Sequence, residues 1–321
     1  MFRYLLWSFV LIQAVISGSC SLESGKGVSV MNWNVQTFFD GVFDGNEYRD
    51  FRDSSHGWNT DKYAVRLKRL AGVIRKLDCD IVVLEELEKE TQLYDISNAL
   101  ASDFNSARNW SYGFFAKEKD ASIGTGIISR LEICEATVHG IRKAGLKQPS
   151  LRPVIKCVLK KDDAEFVLFA NHWKSKSGDS ETSAFWRRRQ ERLLADLIAE
   201  ENEKSGRPVI CCGDFNMDVL EFKRNPECPG QIVLQGKKNI PLYSPWFDSD
   251  GKLIDGGSYW FRGEWSRIDN FFVSGSSMAV DFCACSEGEW TEENRQPRKY
   301  KIYSGDGFSD HLPVTCTLNL R

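Results

Sequence analysis

The sequence has no Cys-x-x-Cys pair and no cysteine–histidine spacing suited to zinc, so its ten cysteines supply no metal ligand set. It has no apolar run of the ~20 residues that a membrane-spanning helix needs. No Pro- or Ser-rich linker, block of like charge or internal repeat interrupts it. Its 321 residues alone would allow about two domains, but nothing marks a boundary, and residues 27–321 are expected to form one domain. An excess of positive charge is missing as well: 42 Lys and Arg stand against 45 Asp and Glu, a net −3. Such a chain does not coat itself in polyanion, although a local basic cluster still meets phosphates through the field of its own site.

What is present begins with a processing signal. Arg3 precedes an apolar run over residues 5–16, and Ser17, Gly18 and Ser19 then lead into Cys20. Residues 1–20 are therefore expected to be a signal peptide, and the mature chain exported. Cys20 after small residues would be the acylation point of a bacterial lipoprotein, tethering the chain to a membrane. Ser17 stands where a large aliphatic residue is usual, so plain cleavage to a periplasmic or secreted product stays open beside the tether. Loss of Arg3 leaves 41 basic against 45 acidic residues, a net −4. Nine cysteines also remain, an odd number, so at least one thiol is free or pairs between chains. Cys211 and Cys212 lie in an apolar run, and Cys157 and Cys316 in alternating segments, where cysteine behaves as a small hydrophobe.

Periodicity divides the rest. Residues 28–34 alternate like a strand with a polar tip, and 61–77 carries Tyr63, Leu67, Leu70, Ile74 and Leu77 at helical spacing. Residues 80–84 form a short buried strand ending at Glu85 and Glu86. Helices are expected over 90–101 and 185–200, and strands over 112–116, 124–129, 153–159, 166–170, 208–212, 267–273 and 312–318. Strands outnumber helices in mixed order, the pattern of an α/β sandwich of packed layers. The stretches 40–59, 222–263 and 287–304 have no period and read as loops on the functional side.

Six polar groups sit at or just beyond the ends of hydrophobic runs: Asn34, Glu86, Asn171 with His172, Asp214 with Asn216, Asp269, and Asp310 with His311. Each alone has a bland explanation as a turn residue, helix cap or hydrogen-bonded core group. Together, on strands whose ends converge on one rim, they crowd carboxylates and imidazoles with few cations between. A hard divalent cation relieves that crowding, and Mg²⁺ takes one or two carboxylates, several waters and substrate phosphate.

The segments MNWNVQ (31–36), DIVVLEELE (80–88), GTGIISR (124–130), NHWKSK (171–176), GDFNMD (213–218), RIDNFFVS (267–274) and SDHLPV (309–314) carry a resemblance over nearly the whole mature chain. In this order they resemble the endonuclease/exonuclease/phosphatase superfamily, and the NHWKSK element resembles its exported bacterial members. The resemblance implies a deoxyribonuclease I-like, four-layer α/β/β/α sandwich of two mixed sheets. It implies a Mg²⁺-dependent phosphodiesterase, with Mn²⁺ or Ca²⁺ as other ions. Glu86 would be the direct metal ligand, with Asn34 and Asp310 beside the ion. Asp214 would orient and deprotonate the attacking water, helped by Asn216. His311, held by Asp269, would contact the scissile phosphate, and His172 would stabilise the phosphorane or serve as acid to the leaving oxygen. Asn34 and Lys174 would touch substrate, and Arg130, which ends GTGIISR, would either contact a substrate phosphate or pair with a neighbouring acid.

Two positions depart from the pattern. Gln36 replaces an acid that several relatives bring to a second metal position, and Glu85 beside Glu86 leaves two adjacent carboxylates of which one is a solvated or capping group. Lys176 is a further phosphate contact by position, whereas the run 187–189 reads as a solvated helix face and Trp33 turns into the core. Trp173, Trp246, Trp260 and Trp265 lie near the expected rim, where packing is the ordinary role and stacking on bases or lipid headgroups the functional one. The expected substrate is nucleic acid, cut by a monomer outside the cytoplasm with no protein partner. The alternatives are a phosphomonoesterase, a sphingomyelinase- or phosphoinositide-type lipid phosphoesterase, and a non-catalytic surface lipoprotein. The phosphoinositide branch's Pro-Ala-Trp-Thr-Asp-Arg signature is missing around Asp269.

Overall fold

Alternation along the first strand, β1 (Gly27–Phe38), sends Val28 and Val30 to one side and Met31, Trp33 and Val35 to the other, and both sets are buried. A strand buried on both faces is a central strand with a packed layer on each side. The computed structural model describes residues 27–101, 109–141, 148–274 and 277–320; the expected signal peptide and Cys20 lie outside the described residues.

The next seven strands in chain order are β2 (Ile81–Leu87), β3 (Tyr112–Ala116), β4 (Gly124–Ser129), β5 (Glu132–His139), β6 (Val154–Lys161), β7 (Ala164–His172) and β8 (Val209–Asp214). Three short strands follow, β9 (Lys223–Arg224), β10 (Gln231–Leu234) and β11 (Ile240–Tyr243). A hairpin of β12 (Tyr259–Phe261) and β13 (Glu264–Ser266) precedes β14 (Asp269–Val273), β15 (Ser277–Ala284) and β16 (Val314–Leu320). One sheet has the order β15-β16-β1-β2-β4-β3 and the other β5-β6-β7-β8-β14-β11-β10-β9. Both are mixed: β1 runs parallel to β2 and antiparallel to β16, and β7 runs parallel to β8, which is antiparallel to β14. The inner faces meet in one core that includes Val30, Val83, Ile127, Ala170, Cys212, Phe271 and Cys316.

After the single turn α1 (Arg49–Arg52), α2 (Thr60–Leu77) and α3 (Thr91–Ala101) cover the outer face of the first sheet through Leu70, Ile74, Leu93 and Ile96. Helix α2 starts where the Asn59 side chain accepts the Lys62 N–H, and stops at Asp78 in the left-handed region. Helix α4 (Ser180–Lys204) covers the second sheet and is longer than its expected span, because the Asp179 side chain caps it by accepting the Thr182 N–H at 2.7 Å. The result is two mixed sheets flanked by helices. The stretch 222–263 is not one loop: β9, β10 and β11 extend the edge of the second sheet, and only its end reaches the rim. Strand β5, a mostly exposed edge, shows no clean buried face, and β15, with a register shift between Ala279 and Asp281, was also missed by the periodicity. All nine cysteines among the described residues are free, and Cys157, Cys211, Cys212 and Cys316 are buried.

Gly213 shows how tightly the second sheet closes at its functional end. Its φ is 147°, and a Cβ there would lie 2.0 Å from the Asn171 carbonyl oxygen of the neighbouring strand. Gly213→Ala is therefore expected to destabilise the protein by about 2–4 kcal/mol, combining backbone strain with a main-chain clash. Urea unfolding measures this, and an unchanged midpoint would refute it.

Candidate active site

Parallel pairing of β1 with β2 and of β7 with β8 brings four strand ends to the same edge of the sandwich, and antiparallel β14 starts there. The register sets Asn34 opposite Glu85, His172 opposite Asp214, and Asp214 opposite Asp269. An isolated bridge between Tyr259 and His311 adds the segment before β16. These residues thus meet at one cleft of about 1250 Å³, whose lining includes Asn34, Glu86, His172, Asp214, Asn216, Asp310 and His311.

Simple alternation would put Glu85, not Glu86, on the inner face. A bulge decides between them: the β2 register shifts on both sides, and Glu86 takes φ 68°, which re-aims its side chain into the cleft. There its carboxylate accepts the Thr37 N–H at 2.5 Å and the Asn34 amide at 3.3 Å. Glu85 is neither solvated nor a cap. It is fully buried between the sheets, and neither carboxylate oxygen has a hydrogen-bond partner among the described residues. Burial, then the charges of Asp269 and Asp214, push its pKa well above the ordinary range.

His311 Nδ1 pairs with Asp269 Oδ2 at 2.8 Å, both groups buried. Burial works against the imidazolium, but Asp269 outweighs it and holds the His311 pKa up to about 10. Asp214 receives the Asn216 backbone N–H at 2.8 Å on one oxygen and the Asn34 amide at 3.0 Å on the other. Burial raises its pKa to about 7 against the pull of His311. His172 lies with Nε2 at 3.8 Å from Asp214 and 4.0 Å from Glu86. Burial, then Arg152, drives its pKa well below the usual value, so it is a neutral imidazole at neutral pH.

Of the three expected substrate contacts, Asn34 lines the cleft and Arg130 and Lys174 turn elsewhere. Arg130 follows β4 beside the start of β2, at the opposite end of the strands, where it donates to Asp78 Oδ1 at 2.5 Å and packs on Trp110; of its two readings the structure has the acid pair. Lys174 turns its ammonium back to the Ser175 and Ser177 carbonyls and braces its own loop. Asn34 lines the cleft, its amide oxygen accepting the Gln36 N–H at 3.0 Å and its NH₂ donating to Glu86 and Asp214. In the run 187–189, Arg187 is buried and binds the Lys174 carbonyl rather than lying on a solvated face. Trp173 and Trp246 are core residues.

Sequence reasoning missed two cations. Arg66 on α2 is 2% exposed and donates to the backbone carbonyls of Val35, Gln36 and Thr37 while lying 3.8 Å over the Tyr300 ring. It holds the left-handed turn of Gln36 and Thr37, at φ 51° and 48°, which presents the Thr37 N–H to Glu86. Arg152, just before β6, lines the cleft and donates to the Trp173 carbonyl at 2.6 Å. Neither carries a local signal, since Arg66 lies inside a helical pattern and Arg152 only precedes a strand. Gln36 exchanges both of its amide hydrogen bonds with the Tyr300 backbone, so the residue that replaces an acid anchors the 287–304 loop.

Donor chemistry allows a hard cation. Glu86 and Asp310 offer carboxylate oxygens on the cleft, Asp310 lying 3.3 Å from Lys299. The oxygens of Asp214 and Asp269 with a His311 nitrogen also lie within 4.8 Å of one another, but His311 Nδ1 is already bonded to Asp269, so that group works as a hydrogen-bonded pair beside a base.

A hydrogen-bonded carboxylate for water, a buried imidazolium for phosphate and open acidic oxygens suit hydrolysis at phosphorus, and the class so defined is that of phosphoester hydrolases built on two packed sheets. The chain belongs to the Endonuclease/Exonuclease/phosphatase family, whose model matches residues 31–311. No curated protein sequence matches it. Among solved structures it is similar to an endonuclease/exonuclease/phosphatase family protein from Bacteroides thetaiotaomicron, at 18% identity over 92% of this chain and 95% of that one, with a TM-score of 0.58. It is also similar to D. rerio TDP2 complexed with single strand DNA product (18%, 91% and 99%, 0.57). The human Nocturnin catalytic domain with bound sulfate anion is a third (16%, 92% and 95%, 0.57). At these identities the likeness shows the shared fold.

The Arg66 contacts generate a prediction. Arg66→Met is expected to lose about 3 kcal/mol in denaturant unfolding, because buried carbonyls lose a charged donor, and to lower kcat at least about tenfold through the displaced Glu86. Arg66→Lys, lacking the planar fork, is expected to restore little of either. Full activity in Arg66→Met would show that the turn needs no such clamp.

Proposed function

We propose that the protein is a divalent-metal-dependent phosphodiesterase, most simply Mg²⁺-dependent, that hydrolyses nucleic acid with an activated water. The observation that carries this reading is the meeting of Glu86, Asp214 and the His311–Asp269 pair at one cleft, each with a different electrostatic character. Asp214, its two oxygens positioned by Asn34 and Asn216, takes the proton of the attacking water. His311, charged and fixed by Asp269, binds a non-bridging phosphate oxygen. Neutral His172 donates a hydrogen bond to the pentacovalent phosphorus species, a role that its depressed pKa favours over proton donation from an imidazolium. Glu86, with Asp310 beside it, would hold the ion, which supplies positive charge to the phosphate when bound. The family model and the TDP2 neighbour, named as a complex with single strand DNA product, support a nucleic-acid substrate.

Asp214→Asn and His311→Ala are each expected to lower kcat by about 10²–10⁴-fold on an oligonucleotide, with thermal unfolding little changed. Asp269→Asn should lose a comparable factor, since a neutral partner no longer stabilises the imidazolium. Chelation should abolish turnover, and Glu86→Ala should remove the heat of Mg²⁺ or Mn²⁺ binding in calorimetry. Activity undiminished by chelator, or by Asp214→Asn, would sink the reading. We also infer that the protein works outside the cytoplasm, supported by the apolar run before Cys20. Cys20→Ala should release it from the membrane fraction if it is acylated, and recovery of the unprocessed chain in the cytosol would refute export.

A further inference from the structure

Beyond the reacting groups, the cleft has a wall of aromatic rings that none of the roles above uses. Tyr259 on the hairpin lies 4.7 Å from the His311 ring, and Phe261 stacks on Tyr259 with centroids 6.1 Å apart and planes inclined by 17°. The row leads from the phosphate-binding imidazole outward and ends at Phe261, which is 53% exposed. Trp260 and Trp265 pack against each other at 5.1 Å, so the rings presented to the cleft are Tyr259 and Phe261. From the 287–304 loop comes Tyr303, 68% exposed, its ring 4.3 Å from His56 and its hydroxyl 2.7 Å from His56 Nε2.

Both exposed rings are held by rigid backing. The hairpin is tied to the His311 segment by the Tyr259–His311 bridge and by the Leu312 N–H to Ser258 carbonyl bond at 2.7 Å. Tyr303 is backed by Lys62, whose ammonium donates to the carbonyls of Ile302 and Tyr303. Cations accompany them: Arg262 lies 5.1 Å from the Phe261 centroid, and neither Arg262 nor Lys301 makes an ion pair with a described residue although both line the cleft.

The geometry points to a single-stranded nucleic-acid subsite in which Phe261 and Tyr303 stack on bases flanking the scissile phosphate while Arg262 and Lys301 meet the adjoining phosphates. This rests on the nucleic-acid reading above and sharpens it to strands whose bases are unpaired. In a duplex each base is already stacked and paired, so rings presented edge-on to a groove gain nothing from it. An unpaired base exposes its π-face, and aromatic rings interleaved with cations are the general platform for such strands. A lipid surface fits the hairpin less well, since its tip beyond Phe261 is Arg262, Gly263 and Glu264, all exposed and two of them charged.

The test measures binding of a fluorescein-labelled oligo-dT, a blunt duplex of the same length and phosphatidylglycerol vesicles to full-length protein in EDTA, and cleavage of the two nucleic acids in Mg²⁺. The wild type is expected to bind and cut the single strand at least about tenfold better than the duplex. Phe261→Ala and Tyr303→Ala should each weaken single-strand binding by about tenfold, raising KM more than they lower kcat, whereas Phe261→Trp should restore binding. Circular dichroism melts check that these exposed changes leave the fold intact. Equal handling of duplex and single strand, with binding indifferent to both rings, would overturn this inference and leave the nucleic-acid reading standing. Stronger binding to vesicles, lost in Phe261→Ala, would overturn it in favour of a membrane surface. No cleavage of either nucleic acid under any divalent ion would overturn both.

Discussion

Negative charge gathered at one end of a dry interior is the constraint from which the rest of this molecule follows. Glu85, Glu86, Asp214 and Asp269 lie at the same edge of the two sheets, and three of them are buried. A low-dielectric surrounding magnifies their repulsion. The protein answers in three ways. Asp269 is matched by a buried imidazolium, Asp214 is raised to about 7 by burial, and Glu85, lacking any described hydrogen-bond partner, is pushed well toward its neutral form. Glu86, the one of the four that is not buried, is turned out to the open cleft. That division gives carboxylates of one chemical kind different protonation and exposure at one edge.

Backbone strain maintains the division. Gln36, Thr37, Glu86 and Asn216 all occupy the left-handed region, at φ between 48° and 68°, although none is glycine. Each such residue costs on the order of 1–3 kcal/mol and persists only where its surroundings over-determine it. Here the surroundings are identifiable. Arg66 clamps the carbonyls of the 35–37 turn, Glu86 accepts from Thr37 N–H, Gln36 is tied to Tyr300, and Asn216 is held by Asp214 and the Trp173 carbonyl. The strained turns lie on sheets anchored by a continuous core, so the polar end inherits the rigidity of the apolar middle.

The cleft walls follow a different logic. Segments around Tyr48, the β12–β13 hairpin and Lys299–Tyr303 come from three distant parts of the chain, and the first packs on the last through His56–Tyr303 and Trp58–Tyr300. Their contacts with the catalytic edge are few but direct: the Tyr259–His311 bridge, the Gln36–Tyr300 exchange and the Arg66–Tyr300 stack.

The amino-acid sequence by itself determined the layers and the positions of the reacting groups. Apolar alternation is a local property, so β1, β2, β3, β4, β8 and α2 were legible within a few residues, and polar groups at the ends of such runs marked Asn34, Glu86, His172, Asp214, Asp269 and His311. Only the tertiary structure decided what those groups face and what serves them. The Glu86 bulge breaks the two-residue period on which strand reading depends, so alternation places Glu85 inside but does not give the orientation of Glu86. Long side chains were assigned by nearness in sequence to a motif, yet Arg130 runs back to the far end of its sheet and Lys174 folds onto its own loop. Arg66, Arg152 and Tyr303 are held by partners from 21 to 247 residues away, and such a pairing leaves no mark on a single strand or helix.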